Sequence, residues 1–328
     1  MTLTLPQRAP NPIRRSPKNV STRRWSRYSS RTFYLFVSPW VLGFFLLTLF
    51  PLLYSLMVSF TNWDGVSDHW RWIGARNYLQ LFHDPDTILS LERTSIYVLV
   101  IVPVLIACGL GLALLLNNSW PGIGLFRAIF YIPSIVPIVA SVVAWRLMFD
   151  RDAGALNAII EHLGGPAITW LIDPAAFGAL IIMIVWGLGG GMIISLAAVQ
   201  GIPTELLEAA QIDGANYWQV FRSVTLPLLS PVLFFQVITN VIAALQTLIQ
   251  PLLLAASGGA AAAAAGSMPR SNYFFMVHVY VQFLYNQRFG YGSALLWVFF
   301  VFILLLTLLI FRSGALWVYY EVEQQGGK

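Results

Sequence analysis

Six uncharged polar side chains interrupt one long apolar run of this 328-residue chain: Gln236, Thr239, Asn240, Gln246, Thr247 and Gln250. At about 100° per residue, Gln236, Asn240, Thr247 and Gln250 fall within an arc of about 80° and form a stripe on one helix face. Such a stripe faces protein or water. Two kinds of chemistry fit it: hydrogen bonds to a neighbouring membrane helix, or a cavity lining whose amides bind solute hydroxyls. A second cluster lies upstream. Trp186 can stack on a ring, and Gly187, Gly189, Gly190 and Gly191 beside it let a neighbour approach or the backbone bend. Packing is the plainer reading of that cluster.

Nothing in the chain is arranged to make or break bonds. It has no H-E-x-x-H, no G-x-S-x-G, no carboxylate pair at membrane depth and no G-x-x-x-x-G-K-[ST] phosphate loop. Catalytic and metal residues are therefore expected to be none. Cys108 is the sole cysteine and sits in an apolar run, so no disulfide within the chain and no metal-ligand spacing exists. A proton-coupled secondary transporter keeps ionisable groups in the middle of its spans. The middles of the six apolar runs here lack them. Sodium coupling through backbone carbonyls remains an alternative, as does a non-transporting scaffold or receptor subunit.

The elements that must position these residues are membrane helices. The chain is 58% hydrophobic and 10% charged, far from the roughly 25% charged of a soluble domain. Apolar runs of about 20 residues match a hydrocarbon core of about 30 Å, and the backbone must then close its own hydrogen bonds as helix. The expected fold class is all-α, a polytopic six-helix bundle. Its spans are read at Phe33 to Phe60, Thr94 to Leu116, Leu125 to Phe149, Ala175 to Val199, Leu228 to Ala256 and Phe289 to Phe311. Pro133 and Pro137 predict a kink in the third. The apolar segment Tyr273 to Leu284 is too short to cross and reads as an interfacial helix, with His278 structural. The run Gly258 to Gly266, with six consecutive alanines, is low-complexity.

Seven Arg and one Lys lie between Arg8 and Arg31 with no acidic residue among them. Beside a membrane helix this marks a topology signal or an anionic-lipid contact more than a nucleic-acid site. An amino terminus inside places both ends of a six-span chain in the cytoplasm. The expected organisation is a basic tail over 1–32, a transmembrane domain over 33–312 and a C-terminal tail over 313–328. The inside loop 200–226 follows span four.

That loop reads QGIPTELLEAAQIDGANYWQVFRSVTLPLLSP from Gln200 and scans as two short helices around a tight turn. Pro203 suits a first helical position and Glu205 complements the positive helix end. Asp213-Gly214 ends the first helix, and Asn216 with Gln219 forms a capping box for the second. Pro227 is expected to close that helix and open span five.

Glu208-Ala209-Ala210, then Gly214, then Val224-Thr225-Leu226-Pro227 at this spacing closely resembles the EAA loop of binding-protein-dependent ABC importer permeases. Val224 stands where that family usually has Ile. Ser59-Phe60-Thr61-Asn62-Trp63 and Gly74-Ala75-Arg76-Asn77-Tyr78 extend the likeness to the maltose-type carbohydrate permeases, specifically the first subunit of their heterodimer. The Ala-rich run departs from the Gly-rich polar turn of that pattern. The resemblance implies that Glu208, Ala209, Ala210, Asp213, Gly214, Leu226 and Pro227 couple to a separate ATPase. It also implies a second permease subunit, two ATPase subunits and an extracytoplasmic binding protein in a bacterial inner membrane. The solute is then a carbohydrate or polyol, passing by Trp186, Gln236, Asn240, Gln246, Thr247 and Gln250. This chain holds no cofactor, ATP and Mg belonging to the partner subunits.

Overall fold

The computed structural model describes residues 30–68, 70–255 and 268–319. The basic tail over 1–29, the Ala-rich run and residues 320–328 lie outside the described residues. Contacts divide the chain into two units, Met1–Leu53 and Tyr54–Lys328. In the first, the helix α1 (Arg31–Val58) begins with Phe33, Phe36, Trp40, Leu46 and Leu47 all exposed. Apolar side chains on every side suit a helix solvated by lipid. The end of α1 belongs to the second unit.

The second unit is a helical bundle. It comprises α2 (Arg76–Leu81), α3 (Pro85–Leu116), α4 (Ile123–Ile135), α5 (Ile138–Met148), α6 (Ala155–His162), α7 (Ala175–Trp186) and α8 (Gly189–Gln200), followed by α9 (Thr204–Ile212), α10 (Tyr217–Leu245), α11 (Ile249–Leu254), α12 (Phe275–Tyr285) and α13 (Phe289–Trp317). Among the described residues, α1, α3, α10 and α13 are each long and apolar enough to cross a membrane. The pairs α4 with α5 and α7 with α8 reach that length only as bent spans.

The axis of the unit is α3, which packs against α8 and α10. Its buried Tyr97, Ile101 and Val102 share one core with Leu180 of α7, Leu245 of α10, Phe275 of α12 and Leu295 of α13. Close helix approach depends on missing side chains. The backbone of Met192 lies 3.5 Å from where a Cβ on Gly109 would sit, and a Cβ on Gly189 would overlap the Phe130 carbonyl oxygen.

The expected kink in the third span forms, and three expected boundaries are corrected. The third span bends by 101° between α4 and α5, because Pro137 removes a donor and pushes Val136 to an extended ψ of 131°. The fourth bends by 47° where Gly187 and Leu188 interrupt it. The second begins at Pro85 instead of Thr94, since Asp84 caps it by accepting from the Asp86 N–H. The fifth stops at Leu245, and Ile249–Leu254 forms a separate helix packed on α5.

At the N-terminal end of α3 a buried polar cluster ties three helices together. Thr87 donates to Asp84 Oδ2 at 3.1 Å, and Tyr291 donates to the same oxygen at 2.7 Å. His278, fully buried, then donates from Nε2 to Thr87 Oγ1 at 3.0 Å and accepts on Nδ1 from Tyr273 Oη at 3.0 Å. A neutral imidazole with its proton on Nε2 fits both of these contacts. Burial holds the His278 pKa below 6.5 despite the pull of Asp84 and Asp86. Asp84 stays below the usual carboxylate value: burial raises it, but hydrogen bonds from Tyr291, Thr87 and the Asp86 amide and the nearby His278 outweigh that. The Thr94 hydroxyl accepts the Phe275 N–H at 2.8 Å and so caps α12. The 11 residues of α12 are too few to cross a bilayer.

Candidate functional site: the surface helix pair and the polar stripe

The helix pair of residues 200–226 forms as its turn signals require. Pro203 takes the N-cap with ψ 128°, one residue before the expected first helical position. At the other end Ala215 N–H donates to Ala210 O and Gly214 N–H to Gln211 O, both at 3.0 Å. With Gly214 at φ +81° this is a Schellman ending. Asn216 and Gln219 exchange both capping-box bonds, Gln219 N–H to Asn216 Oδ1 at 3.0 Å and Asn216 N–H to Gln219 Oε1 at 2.7 Å. The turn is thereby fixed from both sides.

Pro227 does not end a helix. Residues 217–245 run as one element through a π-helical turn, Phe221–Thr225, directly before Leu226 and Pro227. The wide turn absorbs the missing proline donor where a helix end was expected. Leu226 and Pro227 are half-buried at this junction, where the second helix of the pair continues into a membrane-length helix.

The pair presents an unpartnered surface. Glu208, Ala209, Asp213 and Gly214 are exposed and Ala210 is half-buried. Around them stand Ile212 at 86%, Tyr217 at 76% and Trp218 at 64% exposure. Aromatic and apolar side chains left so bare mark a docking surface. Behind the pair, a groove of about 850 Å³ runs between Leu207, Gln211 and Tyr217 and the C-terminal end of α3 at Leu114, Asn117 and Asn118. Arg127 closes that end of α3 by donating from Nε at 3.3 Å and Nη2 at 2.9 Å to the Leu116 carbonyl.

The expected stripe is broken: α10 ends at Leu245, so Gln246 and Thr247 lie after it and Gln250 lies on α11. Gln236, 3% exposed, donates from Nε2 to Ser195 Oγ at 2.9 Å and to Gly191 O at 3.3 Å. It binds α10 to α8. Thr247, also buried, donates to the Ala243 carbonyl at 3.4 Å and sits 3.5 Å from Tyr97 Oη. In this structure the donors of both are used within the protein. Gln246 is exposed, Asn240 and Gln250 are half-exposed, and their side chains have no hydrogen-bond partner among the described residues. Thr239 donates within its own helix. Trp186 is 41% exposed and packs edge-on against Trp145 at 5.9 Å. Sequence reasoning missed the role of Ser195 and Gly191 as partners of Gln236, which lie 41 and 45 residues away.

The build is a helical bundle with bent spans and a capped surface helix pair mounted on a continuous span. Residues 104–318 match the family of binding-protein-dependent transport system inner membrane components. The chain belongs to that family and is the membrane-spanning permease subunit of an ABC importer. It is 37% identical over 296 residues to a probable ABC transporter permease protein, YesP, of Bacillus subtilis, covering 89% of this chain and 93% of that one. It is 37% identical over 227 residues to the lactose transport system permease protein LacF of Rhizobium radiobacter, covering 67% and 74%. Its fold is similar to a chain in the crystal structure of a bacterial ABC transporter involved in the import of the acidic polysaccharide alginate. There the TM-score is 0.75 at 19% identity, over 87% of this chain and 96% of that one.

Proposed function

We propose that this permease imports a carbohydrate or polyol delivered by an extracytoplasmic binding protein, driven by a separate ATPase docked on the helix pair of residues 200–226. The observation that carries the coupling role is the pair itself, locked by two kinds of cap yet bare at Ile212, Tyr217 and Trp218. Ala209 and Ala210 leave room for a partner surface, Glu208 offers it a carboxylate, and the left-handed Gly214 sets the angle between the helices. Leu226 and Pro227 carry the push into α10. ATP and Mg belong to the partner. The complex contains a second permease subunit and two ATPase subunits. Both termini of this chain are cytoplasmic, in the inner membrane of a bacterium, with residues 33–312 as the transport domain.

The solute class is supported by the likeness to the lactose permease protein and by the amides of Asn240, Gln246 and Gln250, which have no hydrogen-bond partner among the described residues. Amides that no protein group occupies can exchange hydrogen bonds with sugar hydroxyls, and an indole can stack on a sugar ring. The mechanism is alternating access, ATP-driven closure of the ATPases rocking α9 and α10 together. The test is copurification with an ATPase whose turnover rises when the loaded binding protein is added. A complex with no such stimulation by any loaded binding protein would sink the reading.

A further inference from the structure

Two prolines at the base of α10 each withdraw a backbone donor. The one missing at Pro227 falls beside the π turn Phe221–Thr225. Pro231 lies inside the helix, so the carbonyl of Pro227, four residues earlier, has no helical partner. Ser230, 4% exposed, supplies one, its hydroxyl donating to Pro227 O at 2.6 Å.

The same hydroxyl has a second partner from the far end of the chain. Tyr319 N–H, just beyond α13, donates to Ser230 Oγ at 2.8 Å. A hydroxyl gives one proton and accepts others, so a single chain of bonds runs from Tyr319 N–H through Ser230 to the Pro227 carbonyl. The last turns of α13 close around it. Phe234, one turn after Ser230, meets Phe311 and Trp317 edge-on at 5.7 and 5.5 Å, and a Cβ on Gly314 would come within 2.8 Å of the Phe234 ring. Leu229 and Leu233 pack instead with Leu110 of α3 and Val199 of α8.

The two kinds of contact act differently. Apolar burial is non-directional and holds helices together without fixing how far one slides along the other. A hydrogen bond from a backbone donor is directional and fixes that register. The relay lies three residues past Pro227, where the second helix of the pair continues into the span. From there α13 runs back 29 residues, about 44 Å, to Tyr291 and the Asp84 cluster at the N-terminal end of α3. One helix thus reaches from the root of the helix pair to the opposite end of the bundle.

We propose that Ser230 is a positioning residue for coupling: its relay locks the end of α13 to the root of α10, so that α13 moves with the helix pair and carries motion between the ATPase and the opposite face. This rests on the coupling reading above, and the experiment separates the two. The purified importer in lipid nanodiscs is assayed for basal ATPase and for stimulation by the binding protein, purified with its own bound solute. Wild type is compared with Ser230→Ala, Tyr319→Pro and Tyr319→Ala. Proline at 319 removes the donor N–H, and Val318 already has the extended φ −88° and ψ 122° that a following proline requires. Tyr319→Ala removes the side chain and keeps the N–H.

The stimulated-to-basal ratio is expected to fall about fivefold or more in Ser230→Ala and in Tyr319→Pro. Basal hydrolysis and complex yield stay at wild-type levels, and Tyr319→Ala matches wild type throughout. A wild-type ratio in either Ser230→Ala or Tyr319→Pro overturns the proposal and leaves the coupling reading intact. Basal and stimulated rates falling in proportion, with a lower thermal midpoint, make the relay a structural tie alone and overturn the proposal too. A loss in Tyr319→Ala equal to that in Tyr319→Pro does the same, by placing the effect in the side chain. No stimulation in wild type defeats the coupling reading and the proposal with it.

Discussion

A side chain placed at position 214 separates the cost of folding from the cost of coupling. Gly214 holds φ +81°, and a Cβ there meets nothing within 4 Å. Within the chain the only cost is left-handed backbone, about 1–2 kcal/mol for an ordinary residue and less for Asn or Asp. Against a total stability on the order of 5–15 kcal/mol the subunit stays folded. On the proposed coupling, the same side chain enters the face docked on the ATPase. Forcing extra atoms into a packed contact costs about 1–3 kcal/mol, a coupling loss of roughly 5- to 150-fold. The assay is reconstituted transport and binding-protein-stimulated ATPase for Gly214→Asn and Gly214→Asp, with membrane levels measured alongside. Full membrane level, retained basal hydrolysis and transport reduced by that factor are expected. Normal transport by Gly214→Asp refutes the reasoning. Loss of the subunit from the membrane refutes it too, by moving the cost into the fold.

Gln236→Leu is expected to lower the thermal midpoint of the purified complex, by about 0.5–2 kcal/mol of lost interhelical bonding. Asn240→Leu leaves that midpoint unchanged but cuts solute uptake, because its amide has no protein partner; equal thermal losses in both would contradict the division of the stripe. Gly189→Val drives its side chain into the Phe130 carbonyl, so assembly falls steeply on a membrane-fraction blot, whereas Gly190→Ala, with nothing within 4 Å of its Cβ, is silent. His278 gives a pH dependence. Its folded pKa lies below the ordinary 6.5, so the unfolded chain binds the proton first and stability falls as pH drops from about 6.5 toward the folded value. The slope is at most about 1.4 kcal/mol per pH unit. Thermal melts at several pH values should show this slope in wild type and lose it in His278→Gln.

What the sequence made legible was local. Gly214 after Asp213, and Asn216 three residues before Gln219, specify a helix end and a helix start whatever surrounds them, and both formed as read. The kink at Pro133 and Pro137 was legible for the same reason, though its 101° size was not. The start of α3 escaped because its first turns are polar: Thr87, Ser90 and Thr94 are buried by contacts with α12 and α13 that no hydropathy reading contains. Pro227 misled because its missing donor was absorbed by a π turn. The division of the stripe depended on Ser195 and Gly191, residues brought opposite Gln236 only by the packing of α8. The pairing of Phe60 with Ile73 and of Asn62 with Arg71 was not legible, since Gly290, whose N–H donates to Trp63 O, holds that segment from a distant position.

The most direct test places a single cysteine at Ile212, 86% exposed beside the helix pair's turn, in a Cys108→Ser background. In membranes containing the whole importer, Ile212→Cys is expected to crosslink to the ATPase subunit, with a yield that changes on ATP binding, and to resist impermeant thiol reagents added outside intact cells. Labelling from outside, or no crosslink to an ATPase under any nucleotide condition, would contradict the account.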